Sequence, residues 1–162
     1  RTWSDLEKLE PPLSLACQLE YLERYLRAAN GTGVGVAISL PSFYTSALRA
    51  LGVATLDLLR DRRSFLEAAM DMLLDYWVRV AWAVCDRFAR EVAFLMVNDD
   101  LGPVLDDVEL FLEIYEERMR RLIEPPKQHG KLVALRMMGW VEGLASVVYD
   151  LGFDIVYPWF LD

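Results

Sequence analysis

At 162 residues the chain has the length of one domain, and its net charge of −8 argues against nucleic acid, whose binding draws on clustered Lys and Arg. An apolar content of 54% excludes disorder, and a mean hydropathy of +0.19 suits strands buried on both faces or a surface meant for a partner. No run reaches the roughly 18 apolar residues of a membrane span; the best, Trp77 to Val84, is broken by Arg79 and closed by Asp86.

The chain opens Arg1-Thr2-Trp3-Ser4-Asp5, without a signal peptide or an initiating Met, which points to a piece of a longer polypeptide. A first helix is expected over 13–29, where Leu15, Leu19, Leu22 and Leu26 fall at helical spacing between Pro11-Pro12 and Asn30-Gly31. Gly31, Gly33 and Gly35 superficially suggest a dinucleotide fingerprint. They precede a strand instead of following one, and Val36 stands just after the last of them, so they read as a turn. The first strand is expected from Val34 to Leu40.

A long helix follows over about 64–90, opened by the capping box Ser64-Phe65-Leu66-Glu67. Its stripe is Ala69, Met72, Leu73, Tyr76, Val80 and Ala83, with Trp77 and Trp82 as core or groove fillers. The second strand, Val92 to Val97, runs into Asn98-Asp99-Asp100-Leu101-Gly102. The next helix opens at Asp106, shows Val108, Phe111, Leu112, Tyr115, Met119 and Leu122 on one side, and is ended by Pro125-Pro126. The basic clusters Arg60–Arg63 and Arg118–Arg121 read as solvated helix ends and turns.

His129, the only histidine, sits in the loop before the third strand, Leu132 to Arg136, at the end opposite the expected chemistry. The last helix is expected over about 141–151, capped by a left-handed Gly152, and the fourth strand spans Asp154 to Tyr157. Cys17 and Cys85 are far apart with no metal-ligand spacing, so both read as buried, reduced thiols of a cytoplasmic protein.

Strands alternating with long amphipathic helices predict an α/β fold of about four parallel βα units, because a parallel pair needs a long crossover. Such folds place their chemistry at the C-terminal ends of the strands. Asp99 and Asp100 are therefore candidate catalytic carboxylates, although an Asx turn bracing the loop explains them equally. Successive strand side chains face opposite ways, so both cannot line one pocket. Asn98, Arg136 and Tyr157 are candidate substrate-binding residues at the same rim, with Phe43 and Tyr44 as walls. Arg136 suits a carboxylate or phosphate, or an ion pair with the acidic loop.

Read in order, several short motifs carry a likeness. They are Trp3-Ser4-Asp5-Leu6-Glu7-Lys8-Leu9, Pro41-Ser42-Phe43 with Thr45, Asn98-Asp99-Asp100-Leu101-Gly102, His129-Gly130-Lys131 and Leu151-Gly152-Phe153-Asp154. Together they resemble the uroporphyrinogen decarboxylase superfamily, which includes the corrinoid-linked methyltransferases. The resemblance implies that residues 1–162 are the central portion of a single (β/α)8 TIM-barrel domain. It also implies a decarboxylase or methyltransferase acting on a small acidic or tetrapyrrole- or corrinoid-linked substrate. The alternative is a non-catalytic binding or scaffold relative.

Departures bear on that choice. Where the family has His-Ser-Asp-Gly or the zinc-binding His-x-Cys-Gly, this chain has Arg136-Met137-Met138-Gly139. The family's substrate-facing Asp and N-terminal arginines lie in a segment absent here. Tyr44 comes too early to match the family's tyrosine, and Leu48 is nearer its place. The expectation is a small anionic substrate, no metal or other cofactor, no nucleic acid and no membrane. Four strands would leave open edges, so a homodimer or the remainder of the same barrel is the expected partner.

Overall fold

The computed structural model describes residues 2–8, 14–52, 58, 61–99, 108–138 and 145–159. The elements follow as α1 (Trp3–Leu6), α2 (Leu15–Ala29), β1 (Val36–Pro41), α3 (Phe43–Leu51) and α4 (Arg63–Phe88). Then come β2 (Val92–Asp99), α5 (Val108–Gln128), β3 (Leu132–Met138), α6 (Ala145–Asp150) and β4 (Ile155–Trp159). Each strand pairs in parallel with the next, in the order β1-β2-β3-β4. An order that never reverses puts right-handed crossovers on one face, which is the winding of a barrel; a doubly wound sheet needs a switch point. The fold is thus α/β, four parallel βα units forming an arc of a (β/α)8 barrel.

One sheet face carries Leu40, Leu95, Val97, Val133, Leu135 and Met137, all buried with Phe65, Leu66, Met70, Leu74, Tyr115 and Met119 of α4 and α5. The opposite face, which would line a barrel, presents Ser39, Met96, Asn98, Arg136 and Tyr157 and is partly open. Among the described residues no helix is long and apolar enough to cross a membrane.

Several local expectations are corrected. Strand β1 starts at Val36, not Val34, which is 69% exposed in the turn that Gly33 opens at φ 75°. The capping box at Ser64 does not form: α4 starts one residue earlier, behind Arg62, and Glu67 bonds the Arg63 guanidinium at 2.8 Å instead. Helix α5 does not stop before Pro125-Pro126 but carries both rings, buried, into its last turn. A proline there forfeits one helical bond, and ring burial offsets that cost. Met72 is exposed, and so is Cys17; Cys85 alone is buried, and burial pushes its thiol up to about 11. Asp106 and residues 141–144 lie outside the described residues.

The basic turn of α5 is not merely solvated. Arg118 grips Asp71 of α4 through two bonds of 2.7 and 3.1 Å, and Arg121 reaches Asp75 at 2.7 Å. At the N-terminal end of the sheet the Asp154 carboxylate accepts from Lys127 Nζ at 2.6 Å and from the Val133 amide at 2.7 Å. These two donors hold its carboxyl below the ordinary value of 3.8. A lowered carboxyl value gives stability that is complete above pH 3.8 and disappears as pH falls through the folded value. Asp154→Asn is expected to cost about 1 kcal/mol near neutrality. In urea titrations at a series of pH values the gap from the parent should close below pH 3.8. A gap that stays constant with pH would show that Asp154 titrates normally in the folded chain.

Candidate functional site

Registered partners in a parallel sheet share a face, so Pro41, Asn98, Arg136 and Tyr157 form one row across β1 to β4 at the C-terminal rim. With strands about 4.8 Å apart, the row from Asn98 to Tyr157 spans roughly 10 Å. Asn98 donates from Nδ2 to Ser39 Oγ on the neighbouring strand. Its Oδ1 is buried and has no hydrogen-bond partner among the described residues. Tyr157 is 57% exposed, so its ring borders solvent and is not core. A guanidinium, a carboxamide and a phenol within that span offer charge and several donors to a carboxylate or phosphate.

The helix-side face holds a different group. Asp99 follows Leu95 and Val97 in the strand alternation and is only 1% exposed; its Oδ1 accepts from Thr45 Oγ1 at 3.2 Å. Thr45 lies in the first turn of α3, whose N-cap Ser42 accepts the Thr45 amide at 3.0 Å. Phe43 and Tyr44 are also buried, their ring centroids 5.1 and 5.7 Å from that of Tyr115 on α5. The Tyr44 hydroxyl has no hydrogen-bond partner among the described residues. Burial, and after it the Asp99 charge, push it up to about 12. Ser46 links the turn to α4, donating to the Ser42 carbonyl at 2.7 Å and accepting from Trp77 Nε1 at 2.8 Å.

The sheet thus divides the residues that the sequence singles out. Asn98, Arg136 and Tyr157 come together on the inner face; Asp99, Phe43 and Tyr44 come together under the helices. Asp100 lies outside the described residues. Ser39 and Thr45 were missed by sequence reasoning. Counting alternation back from Pro41 and forward from the Ser42 cap would have found them.

At the other end of the sheet, His129 Nε2 lies 3.1 Å from Asp86, Nδ1 meets the Pro125 carbonyl at 2.8 Å, and the ring packs edge-on against Trp82. Among the described residues no three His, Cys, Asp or Glu gather closely enough to hold a metal. At the rim of β3 the chemistry is also wrong for zinc. A guanidinium is cationic and a thioether is a poor substitute for thiolate or imidazole, so Arg136, Met137 and Met138 do not fit the ion that the resemblance would place there.

No known family model matches the chain, and no curated protein matches it. Among solved structures it is similar to a methyltransferase from Methanosarcina mazei, with a TM-score of 0.66 and 18% identity over 80% of this chain. The chain has a methyltransferase-like fold. It spans 37% of that neighbour's length, so the likeness bears on the fold and on the arrangement of these βα units.

Proposed function

We propose that this chain carries the substrate-binding rim of an enzyme of the uroporphyrinogen decarboxylase and corrinoid-linked methyltransferase superfamily. Its substrate would be a small acidic molecule or one linked to a tetrapyrrole or corrinoid. The observation that carries the reading is the row Asn98-Arg136-Tyr157 on the inner face of a parallel sheet, where α/β barrels hold their ligands. Arg136 takes the carboxylate, Asn98 orients it, and Tyr157 donates a hydrogen bond from the solvent side. The order of the motifs and the fold shared with a methyltransferase support the same assignment. Of the two chemistries, methyl transfer has the support of that neighbour's name.

Titration calorimetry with citrate and with its neutral triamide tests this reading. Heat of binding from the acid and none from the amide is the expected result. Equal responses, or none from either, would remove the anion site.

A second reading, a binding relative without catalysis, draws on Arg136-Met137-Met138-Gly139 in place of the metal-binding motif. Assays for carbon dioxide release and for methyl-corrinoid demethylation separate the two. Whichever holds, purified protein is expected to carry no stoichiometric zinc on these residues. Metal analysis finding one zinc per chain, lost on replacing rim residues, would contradict that.

A further inference from the structure

We propose that Asp99 is a positioning residue, which through Thr45 holds the end of β2 so that Asn98 presents its amide to the anion-binding row; this rests on the reading of that row given above. The need arises from where β1 ends. Pro41 is its last residue and the last register partner it offers β2, opposite Asn98, so Asn98 and Asp99 stand where the pairing of the two strands runs out.

The last residues of β1 and the turn after it hold this point from three directions. In the plane of the sheet the Ser42 amide donates to the Asn98 carbonyl at 2.8 Å. On the inner face Asn98 Nδ2 bonds Ser39 Oγ. On the helix side Thr45 Oγ1 donates to Asp99 Oδ1 at 3.2 Å. The last contact works across the strand: consecutive side chains point to opposite faces, so fixing Asp99 beneath the sheet fixes the peptide that aims Asn98 above it. Its surroundings make the hold stiff. Asp99 is 1% exposed, and Thr45 stands in a helical turn already capped by Ser42 and tied through Ser46 to Trp77 of α4. A side chain locked by packing and a second layer of hydrogen bonds is what a recognition residue needs behind it.

The test uses Thr45→Val, which keeps the shape and removes the donor, with Thr45→Ser as the conservative rescue and Arg136→Met as a control. Two readouts are followed: citrate affinity by calorimetry, and the Asn98 side-chain amide resonances by NMR without ligand. Thr45→Val is expected to weaken citrate about tenfold, since small misplacements of a positioned group carry losses of this order or larger. It is also expected to shift the Asn98 amide signals. Thr45→Ser should restore both.

A lowered melting point with unchanged affinity and unchanged Asn98 signals would reduce the contact to a structural one and overturn the proposal. If Thr45→Val fails to fold, Asp99→Leu, which keeps the volume and removes both acceptor oxygens, replaces it with the same criteria. Arg136→Met separates the two ideas. Loss of affinity there with none in Thr45→Val sinks only the positioning role. No loss in either sinks the anion site, and the Asn98 signals then decide whether the brace exists.

Discussion

Replacing Arg136 with Met is expected to weaken binding of a carboxylate ligand by about 2–5 kcal/mol, the scale for truncating one partner of a buried charge pair. Methionine keeps the length and most of the volume, so packing at the rim of β3 changes little and the loss reports on charge. The register places Arg136 beside Asn98 and Tyr157, while Asp99 is opposite Met137 and belongs to the other face. A ligand carboxylate on the inner face is the counterpart that the proposed function gives the guanidinium. Calorimetry on the parent and the variant gives the difference directly. If Arg136 serves only as an internal ion pair with the acidic loop, affinity should be unchanged and stability should alter by less than about 1 kcal/mol.

Phe43→Ala should act on a different quantity. Phe43 is 0% exposed and its ring lies 5.1 Å from that of Tyr115, so the change opens a cavity between α3, α5 and the sheet. Phe→Ala in a core costs about 3–5 kcal/mol. For a chain of this size that lowers the melting point by roughly 6–20 °C, at a few degrees per kcal/mol. Because the ring lies on the helix side, any loss of citrate affinity in the folded variant should come through the Thr45–Asp99 contact and appear as shifted Asn98 amide signals. A variant of normal stability with impaired binding would instead make Phe43 a wall of the ligand site.

The strands were legible because each is a short apolar run between helix-length segments, and that pattern needs no tertiary information. Which face each strand residue takes was harder to read. Phe94, Met96 and Ala134 on the inner face are as apolar as Leu95, Val97 and Val133 under the helices, so no polar alternation marks the sides. This is why Asp99 could be grouped with Asn98 although the sheet separates them. Helix α3 escaped notice because Phe43-Tyr44-Thr45 follows a proline and looked like a strand-to-loop stretch; its signal was the Ser42 cap. The boundary errors have local causes. Arg63 competes for Glu67 and undoes the box at Ser64, and burial keeps Pro125 and Pro126 inside a helix they would otherwise end.

The uninterrupted strand order has a consequence for how such a chain changes over time. Among the described strands each pairs with its predecessor and successor in sequence, and the returns near Gly31, Arg90, Gly130 and Gly152 all come at the end of the sheet away from the row of Asn98, Arg136 and Tyr157. A crossover between related genes at any of these returns would exchange a whole strand together with its piece of the rim, while leaving each junction intact. If the row binds an anion as proposed, ligand preference can then be recombined in segments, with Arg136 traded together with the apolar side chains that its own strand buries under the helices.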